Sequence, residues 1–153
     1  MQLKILKNQS AVITGYALLS MLLPFLLANI YAFNETNSFF LKSRQLVAIT
    51  DTSALAGARL IGLIDNSIVV INATQNFNTN NSINASATFT LGKWDSENHT
   101  FTATNTLPNA IKVEATSPFI ADTLAEYLED LPTIQATSIA LKSANSKASY
   151  IVQ

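Results

Sequence analysis

Asp95, Glu97 and His99 alternate along the chain, and on an extended backbone alternate side chains share a face. Two carboxylates and an imidazole so placed could close on one metal ion. Calcium loops use oxygen ligands at such spacing, but they need more ligands and a supporting glycine. Asp95-Ser96-Glu97-Asn98 also has turn chemistry. A surface hairpin tip is therefore the better reading. His99 is the only histidine. A Ser-His-Asp triad would have to use it, yet the chain holds no G-x-S-x-G nucleophile elbow. Cysteine is absent, which excludes disulfides, thiol catalysis and thiolate metal sites. These residues predict no enzyme, no metal and no cofactor.

Other candidates concern contact rather than catalysis. Asp51 stands alone between apolar residues. It could meet a partner or pair with Arg44 or Arg59, but those lie seven and eight residues away, outside i,i+4 reach. A solvated position on a helix is the plainer reading, since acidic residues are mostly exposed. Glu126, Glu129 and Asp130 fall near the end of a predicted short helix. There they oppose the helix dipole and read as a solvated face. Trp94 is either an exposed anchor for a partner or, more simply, a core residue covering a sheet. Sequons at Asn34, Asn72, Asn80, Asn84 and Asn98 follow from a composition rich in Asn, Ser and Thr.

The elements that hold these residues begin with Ala11 to Phe33, 23 residues without a charged side chain. As a helix this run is about 34 Å long, enough for a hydrocarbon core of about 30 Å. Pro24 lies inside it; such prolines are tolerated in membrane helices. Tyr31 suits the outer interface. Lys4 and Lys7 precede the run, and Lys42 and Arg44 follow it. The short basic start favours a cytoplasmic N-terminus and an outer domain. A cleaved signal would have a shorter apolar core and small residues at the cut. Here Ile30 would sit at −3 before Ala32, so a retained anchor is expected. Net charge is −1 with no basic cluster, so no nucleic-acid footprint is present.

Beyond the span, Ser38 to Leu63 has roughly helical spacing, with Leu41, Val47 or Ala48, Leu55, Ala58 and Ile61 or Gly62 on its apolar face. The small run Thr50 to Gly57 would let another helix or a sheet come close. Ser67 to Thr74 is β-branched and predicts a strand. Gln75 to Asn84 is asparagine-rich and predicts a loop. Ala85 to Leu91, His99 to Thr104, Asn109 to Thr116 and Thr133 to Leu141 read as strands, and Tyr150-Ile151-Val152 could add an edge. Gly92 would end or bulge the first of these. Ser117 and Pro118 can open a helix over Phe119 to Leu131. The expected fold is α+β. A transmembrane helix continues into a long juxtamembrane helix, packed on a small, mainly antiparallel sheet with one short helix. The expected divisions are a cytoplasmic 1–10, an anchor 11–33, a juxtamembrane helix 34–66 and an outer domain 67–153.

Leu46 to Ala58, LVAITDTSALAGA, resembles the segment after the anchor in TadG-like proteins of the Tad (Flp) pilus-assembly system. There an Asp sits in an alanine-rich helix ending in Leu-Ala-Gly-Ala, here Asp51 and then Leu55 to Ala58. Leu91 to Val113 is similar to the next block, through Gly92, Trp94, Asp95, Phe101 and the run Asn109 to Val113. Thr133 to Ala140 resembles the closing strand. The likeness is to a short form, since many TadG-like proteins carry an additional domain. A leader glycine with glutamate five residues on is not found: Gly15-Tyr16 could be such a junction, but the later position is Ser20.

The resemblance implies a non-catalytic, membrane-anchored component of pilus assembly, minor pilin or pseudopilin-like. It would sit in a bacterial inner membrane with its C-terminal domain in the periplasm. Its partners would be the lipid bilayer and pilin or pilus-assembly proteins, and a homo-oligomer is a further expectation. Contacts would use Gly15, Pro24, Asp51, Ala54, Ala56, Gly57 and Ala58. The competing reading is a membrane-tethered ligand-binding or adhesive ectodomain that works through Trp94 and the loop Asn76 to Asn84.

Overall fold

The structure is a computed structural model. It describes residues 2–119, 132–142 and 149–152, with the side chains of residues 16, 18–119, 132–142 and 150–152. Its elements are α1 (Gln2–Ala58), α2 (Asn66–Asn80), β1 (Ser86–Asp95), β2 (Thr100–Ala103), β3 (Ala110–Pro118), β4 (Thr133–Lys142) and β5 (Ser149–Val152). They fall into two compact units, Met1–Ser38 and Phe39–Gln153. The expected helix over 119–131, with Glu126, Glu129 and Asp130, lies outside the described residues apart from Phe119.

In the first unit α1 runs through Pro24. From Tyr16 to Phe33 every large apolar side chain is exposed, from 45% at Leu27 to 76% at Met21. The polar groups here turn inward on the helix. Asn29 Nδ2 donates to the Phe25 carbonyl at 2.7 Å, and Thr36 Oγ1 to that of Ala32 at 2.8 Å. Such self-satisfaction is what an apolar solvent demands of a helix.

In the second unit the strands form one antiparallel sheet of order β2-β1-β3-β4-β5. Alternation selects its buried face over most of β3 and β4, while Leu91-Gly92, Ala110-Ile111 and Ala140-Leu141 are buried on both faces. Leu91, Ile111 and Ala140 stand in one register row, and Ala87, Ala115 and Ala136 in another. The strands expected from alternation are therefore present, β5 included. Gly92 neither ends nor bulges β1. It pairs with both Ala103 and Ala110, and the Phe101 ring covers the space a side chain would fill.

The segment Ser67–Thr74 is not a strand, and Gln75–Asn80 is not loop. Both belong to α2. Val69, Ala73 and Phe77 are its buried residues, spaced by four. Tertiary burial on this face overrides the β-branched composition. The polar side chains adapt to the helix: Asn72, Thr74, Thr79 and Asn80 each bond the carbonyl four residues back, at 2.8–2.9 Å.

The buried stripe of α1 is also rotated from the expected one. Leu41 and Val47 are exposed, and Leu55 is half-buried. Ala58 and Ile61 are buried as expected, but Leu46, Ile49, Thr50, Ser53, Ala54 and Gly57 are buried with them. Thr50 and Ser53 tolerate burial because their hydroxyls donate to the Leu46 and Ile49 carbonyls at 2.6 and 2.7 Å. The helix ends at Ala58, short of the expected Gly62 to Asn66. Turns carry the chain on, and Gly62 adopts φ +74°, a conformation suited to glycine.

Candidate functional site

Small residues decide how α1 meets the rest of the second unit. A Cβ on Gly57 would stand 2.8 Å from Ile111 Cδ1 and 3.1 Å from Ala73 Cβ. The small run thus admits both a sheet and a helix, β3 and α2. Ala54, Gly57 and Ala58, expected as contact residues, lie inside the unit's own core. Ala56 and Asp51 are half-buried and remain open to a partner.

Asp95, Glu97 and His99 sit where β1 turns into β2, with Asp95 and Thr100 the last register pair. The Asp95 carboxylate is occupied by the turn. It accepts from Asn98 Nδ2 at 2.7 Å and from the backbone N–H groups of Glu97 and Asn98 at 2.9 and 3.3 Å. Among the described residues no group of three or more His, Asp or Glu could hold a metal. The Asn98 side chain, then the two backbone donors, hold the Asp95 carboxyl below its usual value. A depressed folded pKa means the turn is favoured at neutral pH and loosens as pH falls through that lower value. Carbon-detected NMR titration of the micelle-embedded chain should therefore place Asp95 below the ordinary Asp value of about 3.9. Asn98→Ala should move it back up; an unmoved midpoint would refute this account of the turn.

Trp94 is half-buried rather than core. It lies three residues from buried Leu91, hence on the opposite sheet face, across from Phe101. Asn109 clamps it: the Trp94 N–H donates to Asn109 Oδ1 at 2.7 Å, and Asn109 Nδ2 donates to the Trp94 carbonyl at 3.3 Å. Nothing local in the sequence signals this bond, because its partners are fifteen residues apart.

Two parts of the chain thus offer surface to others: the apolar length of α1 and the outer face of the sheet. α1 is long and apolar enough to cross a membrane. A family model described as Tad-like Flp pilus-assembly matches residues 44–140. The chain belongs to this pilus-assembly family. No curated protein and no solved structure matches it.

The Tad-like match runs from Arg44 in α1 to Ala140 in β4. It takes in both core clusters' helix–sheet contacts and the contact candidates Asp51, Ala54, Ala56, Gly57, Ala58 and Trp94. Gly15 and Pro24 lie outside it, on the candidate anchor. Participation in Tad/Flp pilus assembly therefore rests on the helix–sheet unit, and the role of the first unit is a separate question.

Proposed function

We propose that this Tad-like protein is a non-catalytic, membrane-anchored component of Flp pilus assembly, minor pilin or pseudopilin-like. The observation that carries the reading is the exposed apolar surface from Tyr16 to Phe33 on α1, in a chain whose Tad-like region begins at residue 44. Within its unit no described side chain covers that surface, and lipid is the solvent that suits it. Gly15 and Pro24 are the positions for lateral contact with other helices in the bilayer. Asp51 and Ala56 are the positions for contact outside it. The basic Lys4 and Lys7 ahead of the apolar run support an N-terminus in the cytoplasm and the helix–sheet unit in the periplasm.

The cysteine-free sequence makes the test direct. A single cysteine at Thr137, exposed on β4, should react with a membrane-impermeant maleimide added to cells with a permeabilised outer membrane. A cysteine at Asn8 should react only after the inner membrane is opened, and the chain should stay with membranes through alkaline extraction. Release by alkali, or labelling in the reverse order, would overturn the reading. Crosslinking from Asp51→Cys and Ala56→Cys should capture pilin or pilus-assembly proteins.

A further inference from the structure

We propose that the outer face of the sheet carries a binding site for a neutral sugar residue, in the cleft bounded by Trp94, Ser96, His99, Leu141, Tyr150 and Val152. The cleft measures about 310 Å³, at the small end of ligand sites, which run from about 300 to 1,000 Å³. One wall is the β1–β2 hairpin and the other is the β4–β5 pair. The register row Gly92, Ala110, Leu141, Tyr150 puts Leu141 and Tyr150 on the same sheet face as Trp94, two residues beyond Gly92.

The chemistry of the lining selects the ligand. Among the described residues the lining contains no Lys, Arg, Asp or Glu, so none of them neutralises a phosphate, a carboxylate or a cation. It offers two aromatic rings, Trp94 and Tyr150, and two aliphatic side chains. It also offers the imidazole of His99 and the hydroxyls of Ser96 and Tyr150. A hydrocarbon would leave those polar groups unused. A pyranose ring uses both kinds: its C–H face packs on an aromatic ring while its hydroxyls meet donors and acceptors.

The hairpin wall is braced before any ligand arrives, which lowers the ordering cost of binding. Asn109 fixes the Trp94 backbone. The His99 ring stands edge-on to Trp94, centroids 6.3 Å apart. His99 itself is held at φ +51° by the turn that Asp95 organises. The face lies opposite the one on which Leu91, Ile111 and Ala140 pack with residues of α1 and α2. This site does not depend on the anchor or on the assembly role.

Trp94 is the only tryptophan, so its fluorescence reports the cleft without labelling. The full chain in a non-glycosidic detergent is titrated with the N-acetylglucosamine trimer and, separately, with maltotriose. At least one should give a saturable change with a Kd of about 1 mM or tighter, the affinity expected of a small open site. By calorimetry Tyr150→Ala should weaken that binding about tenfold, as loss of an aromatic anchor does. Tyr150→Phe, which keeps the ring, should bind more tightly than Tyr150→Ala. No saturable change with either sugar would overturn the proposal, and so would binding indifferent to Tyr150→Ala.

Discussion

Replacing Phe77 with alanine is expected to destabilise the chain by about 3–5 kcal/mol, the range for truncating a buried phenylalanine. Phe77 is 1% exposed. It packs with Leu46, Ala115 and Ile134 in one core cluster and stands edge-to-face on Phe89, centroids 6.0 Å apart. Alanine favours the helix by a few tenths of a kcal/mol over phenylalanine, far too little to offset the cavity. Domains of this size are stable by about 5–15 kcal/mol in all, so the variant should sit near its unfolding threshold. Urea titration of the full chain in micelles, followed by Trp94 fluorescence and circular dichroism, measures the loss. Phe40→Ala is the control. Phe40 is 59% exposed, and its removal should cost within about 0.5 kcal/mol. A Phe77→Ala loss no larger than the control's would return Gln75–Asn80 to a loop.

That experiment falls where the sequence misleads. The strands β1, β3 and β4 are legible because each has one buried face, and a period of two survives in the residue types. α2 is not. Its buried residues Val69, Ala73 and Phe77 keep helical spacing, but the intervening positions hold Ile, Val and Asn in an order that suggests a strand and then a loop. α1 is legible as a helix, yet its face is not. Thr50 and Ser53 count as polar in a sequence and behave as small buried residues once their hydroxyls bond their own helix. At the outer face, the turn at Asp95 is legible because its bonds span two or three residues. The rest of the cleft is not, since Leu141 and Tyr150 reach Trp94 only through sheet register.

Gly57 separates two meanings of the small-residue run. If Ala54 to Ala58 existed to receive a partner, Gly57→Leu would leave the isolated chain as stable as before and lose assembly alone. The close approach of Ile111 and Ala73 instead predicts instability before any partner is added. Gly57→Ala brings two opposed effects. Helix propensity gains about 1 kcal/mol. Overpacking costs about 1–3 kcal/mol, near the low end here because Ile111 Cδ1 is the mobile tip of a side chain. The net change should stay within about 1 kcal/mol. Leucine has no such balance. Its further atoms must displace Ile111, itself fully buried beside Val113 and Ala140, or lift α1 away from β3. A loss of about 3 kcal/mol is expected, the upper range of overpacking. Urea midpoints of the two variants in micelles, read beside pilus assembly in cells, decide the matter. Core packing requires Gly57→Leu to unfold earlier than Gly57→Ala, with assembly failing in proportion to stability. An assembly defect at unchanged midpoint would move Gly57 out of the core and onto a partner.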